Sequence, residues 1–490
     1  MSDLTPDRQD TVIEEVTPDS MKIKVNNEIT EIKNTFDEMK LFFEKLNVKD
    51  FTSGGKIYNI GTITNAVFSN EIGKKTLNMF FCRQITEAIK EYNPDAKKLL
   101  ENTIKEPDRK NWETKQTPRN DAFIIIKNGF AGALSIMVGK LISSGRTSFD
   151  KKDPKDYLEV CIATAKRSLQ LLSYSFLSKL WDYQPLKKFE YTDDQLNVLN
   201  SFFNNESEYD INDNLQLLKT LVNIFDIQQI EYPFIEFKNE YLEEGNPFLN
   251  ACKKLGEINT KLDYGTGYEF SIVFEAENVI TEFLKTLSFF AKYKMVSMKD
   301  ILYEEVRGKD AQYLLSYTFL GVDNESVIKK ANAAKLKYDK VPINSNAVFI
   351  FKNKYHDGLN LFPFIIDENA LIIDEKKTKS TEVKICFYIS YKESDEKLIY
   401  SDIHNISSVK SDSSDDFIDP THVPVQYNEK VENELNDAVT DNDITDLKDD
   451  YKKFNSLQLN AVYKIFQKAK REILALPERE LSNNSSSKVN

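Results

Sequence analysis

The chain has 490 residues, a formal net charge of −13 and a pI near 5.1. That length accommodates two or more domains with sizeable cores, and the acidic balance argues against broad electrostatic binding to nucleic acid. Hydrophobic residues make up 41% and charged residues 29%, a balance ordinary for a globular chain and unlike a disordered or fibrous one. Phe (32) and Tyr (23) outnumber Gly (15) and Pro (14), so anchors are many and breakers few. The expected fold is therefore mainly α, a helical bundle, with a small antiparallel β module (α+β) toward the C-terminus. Cys82, Cys161, Cys252 and Cys386 are scattered with no C-x-x-C pair, which reads as reduced thiols in a cytoplasmic protein. The first residues show neither a basic n-region nor an apolar h-region of a secretion signal.

Residues 1–20 are acidic and poor in apolar side chains, and read as disordered. Val25, Ile29, Ile32, Phe36, Met39, Phe43 and Leu46 then follow steps of four and three, the a/d seam of a coiled-coil-like helix over 21–50. A lone helix of this length needs a partner. The partner is either the chain's own core or another chain. After Gly54-Gly55, the residues Ile57, Tyr58, Ile60, Ile63, Val67 and Phe68 suggest a short extended or hairpin element within 51–70. The seam, the run Lys56-Ile57-Tyr58-Asn59-Ile60 and the later Ile63, Asn65, Ala66 and Phe68 resemble the leader of bacterial conflict-system proteins. Those are antiviral, effector-associated ATPases and their adaptors. The resemblance implies assembly or partner coupling, with Val25 to Leu46, Ile57, Tyr58 and Ile60 as contact residues.

A helical domain is expected over 71–310. Leu77, Phe80, Phe81, Ile85, Ala88 and Ile89 share one face, and Asn93-Pro94-Asp95 ends one helix and starts another. Ala122 to Ile142 is the most apolar segment. Its uncharged run from Gly129 to Gly139 is too short to span a bilayer and reads as a buried core helix, with glycines that let another helix approach. A strong helix follows over 154–183, stopped by Pro185, with further helices over 193–204 and 212–230. A pair around 246–293 is similar to HEPN-like helical domains, with Leu255, Asn259 and Gly265 in matching places. The arginine of that pattern is missing and Tyr264 stands near the histidine position, so the similarity implies architecture without ribonuclease chemistry.

From 311 to 405 the texture is that of an antiparallel β module. Strands are expected at Tyr313 to Phe319, Ala347 to Phe351, Leu359 to Ile366, Val383 to Tyr391 and Lys397 to Ile403, with a helix over 325–338. Pro363 pushes its strand toward an edge or bulge. The run Leu359 to Phe364 with Phe387-Tyr388 and Leu398 to Asp402 resembles a small bacterial β module beside ATPase, kinase and protease effectors, which implies a helper domain. Residues 406–450 read as an acidic linker. Leu457, Leu459, Val462, Ile465, Phe466 and Ile473 mark an amphipathic helix over 451–478 that docks back on the bundle or reaches a partner, docking back being favoured. The tail 479–490 reads as disordered.

No phosphate-cradling loop, dinucleotide fingerprint or nucleophile elbow is present. Ser53-Gly54-Gly55-Lys56 and Gly73-Lys74-Lys75-Thr76 are fragments only, and Asp441 to Asp446 lacks the glycine and glutamate of a calcium loop. His356, His404 and His422 have no ligand spacing, so no metal and no cofactor are expected. One constellation has catalytic form: Asp367 followed by Glu375 and Lys377, the outline of a D…E-x-K nuclease, in which two carboxylates hold Mg²⁺ and the lysine supports the attacking water. The leading expectation is a non-enzymatic assembly, adaptor or sensor component of a bacterial antiviral system, working through a protein partner or self-association. The alternatives are a nuclease, of D…E-x-K or divergent HEPN type, and a structural protein without a defence role.

Overall fold

The computed structural model describes residues 11–16, 20–25, 28–33, 50–53, 56–59, 79–104, 116–146, 154–184, 189–263, 270–304, 307, 312–321, 334–336, 346–352, 358–370, 384–392, 396–404, 422–426 and 461–476. It is mainly a helical bundle with an antiparallel β module toward the C-terminus, as the composition implies.

The N-terminal part departs from the heptad reading. β1 (Thr11–Val16), β2 (Ser20–Val25) and β3 (Glu28–Lys33) form a three-stranded antiparallel sheet in that order. Val25, Ile29 and Ile32 therefore lie on strands, not on a coiled-coil helix, and β1 falls within a segment read as disordered. The physical reason is local. Met21, Ile23 and Val25 alternate with period two, and Val25 pairs with Glu28, so only Asn26-Asn27 separates the strands, residue types suited to a tight turn. The register sets Lys22 opposite both Glu15 and Glu31, an alternation of charge that favours this pairing. β4 (Asp50–Ser53) and β5 (Lys56–Asn59) pair antiparallel across Gly54-Gly55.

The bundle begins with α1 (Met79–Ile89) and α2 (Pro94–Ile104), and the Asn93 side chain accepts from the amides of Asp95 and Ala96 to start the second. The apolar stretch expected as one helix is two, α3 (Gln116–Gly129) and α4 (Gly132–Arg146), broken at Phe130-Ala131. The glycine here makes room for a strand end: a Cβ on Gly132 would stand 3.0 Å from Met295 Cβ and 2.8 Å from Leu320 Cβ. α5 (Pro154–Tyr183) is the 30-residue axis, and α4, α7 (Ile211–Gln228), α8 (Pro247–Asp263) and α9 (Phe270–Thr286) all pack on it. α6 (Asp193–Phe203) and α7 each begin with a capping box, Thr192 with Gln195 and Asp210 with Asp213, which satisfies amides the first turn leaves orphaned.

Strand structure starts earlier than the 311 boundary. β6 (Lys294–Glu304) follows directly on the 3₁₀ turn Leu287–Lys292 that closes the bundle. It sits at the centre of a five-stranded antiparallel sheet ordered β10-β9-β6-β7-β8, with β7 (Gln312–Phe319), β8 (Ala334–Leu336), β9 (Val348–Phe351) and β10 (Leu359–Asn360). β8 occupies part of the segment read as a helix over 325–338. The strand expected from Leu359 to Ile366 is divided: β10 belongs to the first sheet, and β11 (Ile365–Asp367) opens a second one. The chain turns between them through Leu361 to Phe364, where Phe362–Pro363 is a cis peptide. The second sheet runs β11-β12-β13-β14, with β12 (Ile385–Lys392), β13 (Lys397–Asp402) and β14 (His422–Gln426). β14 thus lies inside the segment read as an acidic linker, and its Pro424 is tolerated because β14 is the end strand.

One hydrophobic core runs from Phe81 in α1 to Leu474 near the C-terminus and takes in both layers. The C-terminal helix α10 (461–473) docks on the body: Phe466 is fully buried, with its ring centroid 4.5 Å from that of Tyr388. Glu236 pins the front of the bundle to the first sheet. Burial alone would raise its carboxyl, but hydrogen bonds from Lys352, Lys292 and Tyr293 outweigh that and hold it at about 2. Replacing Gly132 with Ala forces the start of α4 away from β6, and a loss of about 1–3 kcal/mol in urea unfolding is expected; unchanged stability would mean that this junction yields freely.

Candidate functional site

Several titratable groups gather at one end of the second sheet. β11 ends there, β12 begins there, and the turn after β13 joins them. The pairing aligns Ile366, Cys386 and Asp402 across three strands, with Asp367 opposite Ile385. Strand alternation then assigns the faces. Asp367 lies on the face of Ile385, whereas Lys384, Cys386 and Asp402 lie on the other.

Asp367 is fully buried where the two sheets meet. Its amide donates to Asn346 O at 3.2 Å, and Ala347 bridges to Ile366 beside it. One carboxylate oxygen accepts from the Ser297 hydroxyl and the Lys299 ammonium, both on β6. The other accepts from Asn369 N at 3.0 Å and Asn369 Nδ2 at 2.8 Å. Every partner is a group of the fold itself, so this carboxylate joins the two sheets. Glu375 and Lys377, its expected companions, lie outside the described residues. A second E-x-K triplet, Glu382-Val383-Lys384, was readable in the sequence at the start of β12 and was missed. The pairing sets Lys384 on the face away from Asp367, and its ammonium goes instead to Glu368 Oε2 at 3.4 Å.

On the opposite face, Lys140 from α4 reaches across to the sheet and donates to His404 O at 2.7 Å and Ile403 O at 3.5 Å. The Asp402 side chain accepts from His404 N at 2.8 Å. Burial lowers the Lys140 ammonium to about 8; Asp402 opposes the shift and Arg167 adds to it. Burial likewise lowers His404 below its usual value, against the pull of Asp402 and with help from Lys140 and Lys384. Burial would lower Lys384, yet Glu368 and Asp402 raise it above the ordinary lysine range. Cys386 is buried beside them and its thiol is pushed well up, first by burial and then by Asp402, Glu368 and Asp367, so it is no ready thiolate. Chemically, the cluster offers a half-buried amine that loses its proton at about 8, beside an imidazole whose protonated form is disfavoured by burial. In the sequence His404 fits neither a metal-ligand spacing nor an arginine–histidine pair, because its neighbours Lys140 and Lys384 come from distant elements.

Behind this end, α5 is stitched to the sheet. Arg167 is 4% exposed; its guanidinium donates to Ser401 Oγ at 3.1 Å and Gln170 Oε1 at 2.7 Å, and pairs with Glu208 at 3.1 Å. It lies over the Phe387 ring, 5.3 Å from its centroid. Tyr174 donates its hydroxyl to Tyr388 O at 2.7 Å.

The residues expected to make protein contacts stand elsewhere. Val25 is on β2, Ile29 and Ile32 are on β3, and Ile57 and Tyr58 are on β5, opposite Thr52 and Phe51. Phe36, Met39, Phe43, Leu46 and Ile60 lie outside the described residues. Among the described residues, no group of three or more His, Cys, Asp or Glu is placed to hold a metal ion, and no helix is long and apolar enough to cross a membrane. The chain matches no protein-family model, no curated protein and no solved structure.

Lys140 supplies a pH test with a definite sign. Its folded value, about 8, lies below the ordinary 10.5, so between those values the unfolded chain binds more protons and stability rises with pH. Unfolding free energies of the wild type and Lys140→Met should therefore diverge in favour of the wild type as pH rises from 8 to 10.5. Parallel curves would show that Lys140 is solvated like a surface lysine.

Proposed function

We propose that this chain is a non-enzymatic assembly, adaptor or sensor component of a bacterial antiviral or conflict system, acting through protein–protein contacts. The observation that carries this reading is the state of Asp367. The carboxylate that would anchor a nuclease site is committed on both oxygens to the joint between the sheets. A metal-holding carboxylate needs free lone pairs facing substrate. The K-I-Y-N-I leader resemblance supplies the biological setting.

The N-terminal strands support the contact role in a form different from a coiled coil. β3, which carries Ile29 and Ile32, is an end strand of its sheet. An end strand is a template for strand addition by another chain, and a second copy of this chain is the occupant proposed here. Light scattering on the full chain should give a multiple of 56.7 kDa, and Ile29→Asp with Ile32→Asp should reduce it to the monomer mass. A monomeric parent contradicts self-association. Incubation of the full chain with Mg²⁺ and single- or double-stranded nucleic acid should leave the substrate intact. Cleavage that Asp367→Asn abolishes would establish the nuclease alternative instead.

A further inference from the structure

One end of the first sheet gathers lysines around an exposed ring. β6 starts there and β7 and β9 finish there, so the topology brings Lys294, Phe319 and Phe351-Lys352 together. Lys294 pairs with Phe351, and Val296, two residues on, pairs with Phe319, so Lys294 and Phe319 share a face. Lys292 joins them from the 3₁₀ turn before β6. Lys292 and Lys352 donate to the same oxygen of Glu236, at 2.9 and 2.7 Å, so one carboxylate answers two ammoniums. Both keep part of their side chains in water, 29% and 31%, enough to reach an external anion. Lys294 is exposed and, among the described residues, is in no ion pair. Lys238, two residues beyond Glu236, is matched by Glu240 at 3.4 Å and adds no net charge. Three ammoniums against one carboxylate leave this end locally positive on an acidic chain.

The ring gives the second half of the recognition chemistry. Among the described residues Phe319 is the one exposed phenylalanine, at 37%. Tyr317 stands edge-on to it, with centroids 5.4 Å apart, and fixes its plane. The Lys294 ammonium lies 5.9 Å from the Phe319 centroid, at the outer limit of a cation–π contact. A flat group that stacks on Phe319 therefore has an ammonium beside it for an attached anion. Lys292, 4.5 Å from the centroid of Tyr92, continues the alternation of lysine and ring.

We propose that this end of the first sheet binds single-stranded nucleic acid, with Phe319 stacking on an unpaired base and Lys292, Lys294 and Lys352 facing its phosphates. Lysines that track a backbone beside an exposed aromatic ring are the general means of holding single strands. A duplex keeps its base faces stacked and could not use the ring. An acidic peptide would use the charges and leave the ring idle. The footprint is local, as the acidic balance of the whole chain requires, and the bound strand is held without being cleaved. The site lies apart from the N-terminal strands and does not rest on their contact role.

The test is fluorescence anisotropy of the full chain with a labelled oligo-dT of about 12 nucleotides. Three phosphate contacts predict about 20-fold weaker binding in 200 mM than in 50 mM salt. Phe319→Ala should weaken binding roughly 10-fold with the salt dependence unchanged. Lys294→Glu should weaken it and flatten the salt slope by about one. Neither substitution touches the Glu236 joint. Phe319→Trp guards against misfolding of the alanine variant: it keeps a ring, so it should bind like the wild type, with its added indole emission quenched by the oligonucleotide. Failure of the wild type to bind overturns the proposal, as does Phe319→Ala binding like the wild type or duplex DNA binding as tightly as the single strand. Displacement of the oligonucleotide by oligo-glutamate at equal concentration would make the surface a site for acidic protein segments and overturn it too.

Discussion

The structure depends on how one long buried helix disposes of its polar groups. α5 passes through the middle of the bundle carrying Thr164, Arg167, Ser168, Gln170, Ser173 and Ser175, all nearly or wholly excluded from water. A buried polar group without a partner costs about 1–3 kcal/mol, and a buried charge more. Thr164, Ser168 and Ser175 solve this locally, by donating to the carbonyls four residues earlier. Arg167 and Tyr174 are only partly served, or not served at all, by their own helix. Arg167 has Gln170 three residues on but also takes Glu208 and Ser401, and Tyr174 takes the Tyr388 carbonyl. Glu208 lies on the loop after α6 and Tyr388 and Ser401 on β12 and β13, so these two side chains find their partners only when the second sheet is in place. The bundle and the β module are thereby one folding unit. Breaking such a buried pair on one side costs about 3–5 kcal/mol, comparable to a large share of a domain's net stability.

The same seam occupies the titratable groups at the end of the second sheet. Asp367 closes the joint between the sheets, Glu368 and Lys384 neutralise one another, and Lys140 ties α4 to the turn after β13. These are groups that catalytic chemistry could have used, here engaged in holding layers together. Among the described residues, β3 is an end strand whose outer edge is unpaired within its sheet.

Much of this was legible in the residues. The 3.6-residue spacing of Tyr157, Val160, Cys161, Leu169, Leu172, Phe176 and Leu180 marked α5, and Val462, Phe466 and Ile473 marked a helix that docks back. Errors arose where two periodicities compete over a short stretch. Val25, Ile29 and Ile32 satisfy both a heptad and a pair of strands, and the pairing of Val25 with Glu28 decides between them. Leu359 to Ile366 reads as one strand with Pro363 as an edge or bulge signal, yet the backbone changes sheet there, and local pattern does not tell a bulge from a change of sheet. The partnership of Arg167 with Ser401 spans the two layers and was beyond any local reading. For the same reason Asp367 looked catalytic: its neighbours Ser297, Lys299 and Asn346 come from distant strands and turns that only the fold brings together.

The cooperative unity of bundle and module is tested most directly by native-state hydrogen exchange on Arg167→Met. Amides of α5 and of β12–β13 should lose protection together and by similar amounts, because the substitution leaves Glu208 and Ser401 without the group that joins the two layers. Loss of protection confined to β12–β13, with α5 exchanging as in the wild type, would show that the module opens on its own and would contradict the single-unit view.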